Sequence, residues 1–222
     1  MTEEEWLGCS LWEVRLDGLP NFTYRQFFHF LGAALPLLTN GEPCARCREK
    51  WAHSVQRADH LGAELLPPAG SLLHASRPRS SRGARTCQPH EMMHFAFLCE
   101  EGTLTIQECW NRILGEWAWR NNYVREKVPV AALAVLRDLV GNPFRPVVLG
   151  SPRRVPTVSA LATAAYEERD LHNGALDPVR LAILADALEE AGCTDRAILD
   201  HLRAPGPHVR GCWAVDLLLA KE

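Results

Sequence analysis

The segment Cys87 to Cys99, CQPHEMMHFAFLC, brings together residue types at a spacing that chemistry can use. It holds an H-E-x-x-H string. On a helix, His90 and His94 fall one turn apart on one face, where two imidazoles can hold a zinc ion while Glu91 beside them acts as general base. That pattern is the one a zinc metallopeptidase uses. Cys87 and His90 also form a C-x-x-H pair, which with the C-x-x-C of Cys44 and Cys47 makes a four-ligand set for a structural zinc site. The two readings compete for His90. Pro89 places the motif in the first turn of any helix, and the peptidase needs a third ligand, for which Glu116, Glu100, Glu101 and Glu108 are all available. A third reading is an ordinary short helix, with Met92, Met93, Phe95, Phe97 and Leu98 packed and the histidines at its edge.

The elements that must position these groups read as helices. Thr2 to Leu7 carries three glutamates suited to a helix N-terminus. Asn21 or Thr23 can cap a helix through Tyr24, Phe27, Phe28, Leu31 and Leu35, with His29 a core or boundary residue and Pro36, then the Asn40, Gly41 and Pro43 cluster, ending it. Cys44 to Leu66 reads as a helix whose first turn carries the C-x-x-C, where a dithiol can be a redox pair or half of a metal site. T-I-Q-E at Thr105 to Glu108 is a capping box before a helix carrying Trp110, Ile113, Leu114, Trp117 and Val124. Ala131 to Val140 is a short apolar helix stopped by Gly141. The four prolines of Asn142 to Pro156 predict an extended arm. Beyond it, Thr157 caps a helix, Asp177 and Pro178 supply N-cap and first residue of the next, a third spans about Asp195 to Arg203, and a last one carries Trp213, Leu217 and Leu218. The aspartates of this half, Asp177, Asp186, Asp195, Asp200 and Asp216, read as members of surface pairs.

Composition narrows the classes. A chain of 222 residues with 47% hydrophobic content can bury one sizeable core or two small ones. No apolar run reaches the roughly 18 residues that span a bilayer, and the start, MTEEEWLGCS, is acidic where an export signal is basic. A cytoplasmic address and no membrane association are expected. The eight cysteines then read as reduced thiols, with Cys193 and Cys212 inside apolar helical patterns. A formal charge of -3 gives no overall attraction to phosphate. Arg77, Arg79, Arg82 and Arg85 lie in a basic stretch over residues 67–86 with no interleaved aromatic to stack bases, which predicts a solvated loop rather than a nucleic-acid site.

The opening MTEEEWLGC, the block GNPFRPVVL, LAILADALEEAGC and HLRAPGPHVRGCWAVDLLLAKE resemble uncharacterised proteins of the planctomycetal repeat-companion type. The resemblance covers Met1 to Cys9 and most of Val135 to Glu222, and implies a helical, cytoplasmic accessory protein. A fainter one concerns the centre. FFHFLGAALPLL before PCARCR, with WAWRNNYVRE later, is similar to the Erv/ALR sulfhydryl oxidases. It would make Cys44 and Cys47 the redox pair and place Trp117, Asn122 and Val124 near FAD, although Asn121 and Arg125 depart from the flavin-gripping motif.

The expectation is therefore an all-α protein with a helical region over residues 1–141 and a compact helical module over 142–222, joined by the proline-rich arm. Functionally it is an accessory or interaction protein with a protein partner and a structural zinc site. Zinc metallopeptidase and FAD-linked sulfhydryl oxidase stand as alternatives.

Overall fold

The computed structural model describes residues 1–11, 13–39, 104–120, 130–149, 155–170 and 174–221, with isolated positions at 49, 52, 53 and 56. Eight α-helices account for most of this: α1 Glu3–Gly8, α2 Tyr24–Thr39, α3 Ile106–Arg120, α4 Val130–Val140, α5 Pro156–Glu167, α6 Pro178–Glu190, α7 Arg196–Arg203 and α8 Trp213–Leu219. The described residues form no strand; Ala175 and Val209 make one isolated antiparallel bridge. The chain is all-α, as its periodicity predicts. No described helix is long and apolar enough to cross a membrane.

Local chemistry sets most of the helix ends. The Thr2 hydroxyl accepts the Glu5 amide at 3.2 Å, and the Glu5 carboxylate accepts the Thr2 amide. Thr23 and Gln26 repeat this device at the start of α2, and Thr105 with Glu108 does so before α3. Asp177 and Asp195 cap α6 and α7 through the amides of Val179 and Ala197.

Three expectations are corrected. Pro36 lies inside α2 rather than ending it, because the flanking Leu35 and Leu38 are buried and packing outweighs the one helical bond that a proline forfeits. Thr157 does not cap α5. That helix starts one residue earlier, at Pro156, whose fixed φ suits the first turn. Cys193 and Cys212 are buried, but Cys193 follows the end of α6 and Cys212 is the N-cap of α8, so neither is within a helix.

The buried side chains fall into two clusters. One gathers α1 to α4 around Trp6, Phe27, Phe28, Phe30, Trp110 and Leu136, and takes in Val209 from far along the chain. Each aromatic buried here contributes about 1.5–3 kcal/mol of transfer free energy. The other gathers α5 to α8 around Val158, Leu181, Leu184, Leu188, Ile198 and Val215. Within the first, Arg137 of α4 donates to the carbonyl oxygens of Trp6 and Leu7 at 3.0 and 2.9 Å, and Trp6 Nε1 donates to Gly141 O at 3.2 Å. α1 is thereby tied to the C-terminal end of α4, where the second cluster docks.

Candidate metal centre

α4 is almost wholly apolar, VAALAVLRDLV, and yet one of its buried residues is an aspartate. Asp138 is 3% exposed. A carboxylate so placed must be compensated. The compensation comes from the second half of the chain: His201 in the last turn of α7, His208 in the connection after Pro207, and Cys212 at the start of α8. One ligand-type atom from each of these four residues lies within 4.8 Å of all the others.

Asp138 Oδ1 is 2.8 Å from His208 Nδ1 and 3.2 Å from His201 Nε2. Its Oδ2 accepts the Val209 amide at 2.8 Å, which fixes the carboxylate plane. The sulfur of Cys212 is 3.2 Å from His201 Nε2. The two imidazole rings meet edge to face with centroids 4.9 Å apart, and His201 also lies against Trp213. Cys212 is fully buried and His201 partly so.

The hydrogen bonding of His208 is informative. Its Nε2 is 3.0 Å from Ala204 O, an atom that only accepts, so this nitrogen carries a proton. Its Nδ1 faces a carboxylate. Both nitrogens are satisfied by an imidazolium paired with Asp138, or by a neutral ring whose Nδ1 lone pair meets a cation or a protonated carboxyl. A neutral ring on a cation is the usual state of a metal-ligating histidine, whose other N–H is held by a backbone carbonyl.

The electrostatics agree. Burial raises the Asp138 carboxyl, but hydrogen bonds from His201 and His208 and the positive charge of His208 outweigh it and leave the group below its ordinary value. Burial lowers His208, while the hydrogen bond to Asp138, its charge and the bond to Ala204 bring the net value above 6.5. For Cys212, burial and then the Asp138 charge hold the thiol protonated well above its usual range, although the amides of Val215 and Ala214 favour the thiolate. A bound cation would reverse that last balance by stabilising the thiolate directly.

Four donors of these types could hold a metal ion. With ligand bonds of about 2.0–2.3 Å, a tetrahedral site has N···O edges of about 3.3 Å and N···S edges of about 3.5 Å. The two 3.2 Å separations are already close to these, and the 2.8 Å contact would open by about half an ångström. The set does not fit nucleophilic catalysis by cysteine. Asp138 and Cys212 both approach the same nitrogen of His201, so the carboxylate is not placed to orient that ring from its far side, and the thiol is out of solvent.

A second buried polar group lies one helical turn further along α8. Arg25 of α2 donates through both terminal nitrogens to Asp216, the longer bond being 3.2 Å, and the Tyr166 hydroxyl donates to the same carboxylate. The Gly211 amide donates to that hydroxyl at 3.0 Å. Asp216 is therefore not a surface residue, a further correction, whereas Asp186 does pair at the surface, with Arg203 at 2.7 Å. His29 is buried, and a Cβ built on Gly211 would come within 3.1 Å of it.

Cys44, Cys47, Cys87, His90, Glu91 and His94, the residues that the sequence singles out for metal or catalysis, lie outside the described residues. Sequence reasoning passed over Asp138, His201, His208 and Cys212. Two signals were there: the adjacent charged residues Arg137 and Asp138 in an otherwise apolar helical run, and the H-x6-H-x3-C spacing of His201, His208 and Cys212 around a proline turn. No family model, curated protein or solved structure matches this chain.

Proposed function

We propose that this chain is a non-enzymatic, cytoplasmic helical accessory protein that serves a protein partner, and that Asp138, His201, His208 and Cys212 form a structural zinc centre within it. The observation that carries the reading is the convergence of four donor atoms within 4.8 Å, with His208 Nε2 turned onto a backbone carbonyl. Four protein ligands make a closed coordination sphere, the mark of structural rather than catalytic zinc. Mixed nitrogen, oxygen and sulfur donors favour zinc over magnesium or calcium, which take oxygen. The four cysteines free of disulfides among the described residues are in keeping with a reducing compartment.

The test is metal analysis of protein purified without added zinc. One zinc per chain is expected for the wild type, with loss in Cys212→Ala and His208→Ala and retention in Cys44→Ala and His94→Ala. Zinc lost with Cys44→Ala but kept with Cys212→Ala would move the centre to Cys44, Cys47, Cys87 and His90. Zinc lost with His94→Ala alone would favour the peptidase.

A further inference from the structure

The four proposed ligands are unevenly shared between the two halves of the protein. His201, His208 and Cys212 come from α7, α8 and the turn between them; Asp138 alone comes from α4 of the N-terminal cluster. Metal bound at this site therefore bridges the two clusters, and its last coordination position is filled only when α8 is docked.

The docking face is also held by contacts made outside the ligand set. Arg25 on α2 grips Asp216 on α8. Gly141 lies so close beneath the Trp213 ring that an added Cβ would stand 2.9 Å from it. Asp216 follows Cys212 by four residues, one turn along a rigid helix, and its amide donates to the Cys212 carbonyl oxygen at 2.9 Å. A force that positions Asp216 thus positions the Cys212 sulfur.

We infer that zinc binding and the docking of α8 onto α2 and α4 form one linked equilibrium, with Arg25 a positioning residue for a metal it does not touch. This rests on the zinc reading above. Linkage requires reciprocity: whatever loosens the Arg25 and Asp216 contact weakens the metal, and removing the metal loosens α2 against α8 by the same factor. Coupling of this kind ordinarily amounts to roughly 5- to 150-fold in affinity.

The experiment measures zinc affinity of the full-length protein by competition with a chromophoric chelator, for wild type, Arg25→Met, Arg25→Lys and Asp138→Ala. Cobalt(II) substitution is followed in parallel. Expected are one tight zinc in the wild type, a loss of about tenfold or more in Arg25→Met, partial recovery in Arg25→Lys, and a larger loss in Asp138→Ala. The cobalt spectrum should show thiolate charge transfer in all four proteins, with the intense tetrahedral d–d bands weakened in Arg25→Met as Asp138 leaves the ion. Hydrogen exchange on the wild type supplies the reverse measurement and stands even if Arg25→Met does not fold: chelation should speed exchange in peptides spanning residues 24–39. A wild type that binds one zinc while Arg25→Met matches it within about twofold, or while chelation leaves those peptides unchanged, overturns the linkage and spares the zinc centre. A wild type that binds no zinc overturns both.

Discussion

Asp138 and His208 face each other across the junction of the two clusters, Oδ1 to Nδ1 at 2.8 Å, seventy residues apart in sequence and both almost free of solvent. When His208 is protonated the two form an ion pair, and in the proposed zinc centre they would be co-ligands. The two states respond to pH in opposite directions.

In the metal-free protein His208 titrates above its ordinary 6.5. A raised folded value means that its contribution to stability is fully present below about 6.5 and is lost as pH climbs through the raised value. Asp138 is lowered from 3.8, so its contribution is present above that value and lost as pH falls through the lower one. Metal-free protein should therefore have its highest Tm between about pH 4 and 6.5 and lose a few degrees toward pH 8. Zinc-loaded protein should gain over the same interval, because ligation requires deprotonated imidazoles and thiolate. Thermal melts with chelator and with zinc, from pH 5.5 to 8, should give opposite slopes. A metal-free Tm that rises across this range would refute the ion-pair assignment.

Removing one partner of the buried cluster should be worse than removing its charge altogether. Asp138→Ala leaves His208 facing an apolar wall and the Val209 amide without its acceptor, for an expected loss of about 3–5 kcal/mol in denaturant unfolding. Asp138→Asn, which keeps an oxygen for Val209, should cost less in metal-free protein while still reducing zinc affinity. Equal losses for the two substitutions would show that the Val209 bond contributes little.

Tyr166 should behave as a buried hydrogen-bonding hub. Its hydroxyl donates to Asp216 and accepts from Gly211, and burial followed by the Asp216 charge holds its proton well above the ordinary range. Tyr166→Phe should destabilise by about 1–3 kcal/mol, since it strands the buried Gly211 amide, while Asp216 keeps its bonds from Arg25. Absorbance at 295 nm should show this tyrosine ionising in native protein only well above the ordinary 10. Native-state ionisation near 10 would mean the hydroxyl is open to solvent.

Three glycines separate backbone strain from steric contact. Gly192 and Gly211 have nearly the same φ, +91° and +93°, but a Cβ on Gly192 meets nothing within 4 Å, whereas on Gly211 it would lie 2.8 Å from Leu139 Cδ2. Gly141, at φ +65°, would press a Cβ to 2.9 Å from Trp213. Gly192→Ala should cost about 1–2 kcal/mol for the left-handed backbone alone. Gly211→Ala and Gly141→Ala should each cost a further 1–3 kcal/mol or so as the junction is forced apart. Chemical denaturation of the three variants makes the comparison, and equal losses would mean that the junction yields freely.

Much of the helical architecture was legible from spacing. The capping box at Thr105 and Glu108, the Asp177 and Pro178 pair, and the apolar stripes through Phe27 and Leu31 and through Leu181, Leu184 and Leu188 appear where periodicity places them. Such signals are local, each helix being decided within about four residues of itself. Pro36 was misread because its local penalty was weighed without the burial of Leu35 and Leu38. Asp216 was misread because nothing near it in sequence hints at Arg25, 191 residues away.

The candidate centre was less legible still, for a related reason. Within the sequence, H-E-x-x-H is conspicuous because its members are adjacent, and it drew attention to His90 and His94. Asp138 is separated from His201, His208 and Cys212 by more than sixty residues and at least two helices, and no spacing rule connects them. The sequence by itself determined which stretches are helical and where most begin and stop. Only the tertiary structure decided what compensates Asp138. The approach of α4 and α8, with Val209 buried in the first cluster and Arg25 paired to Asp216 across the junction, puts a carboxylate, two imidazoles and a thiol within reach of one ion.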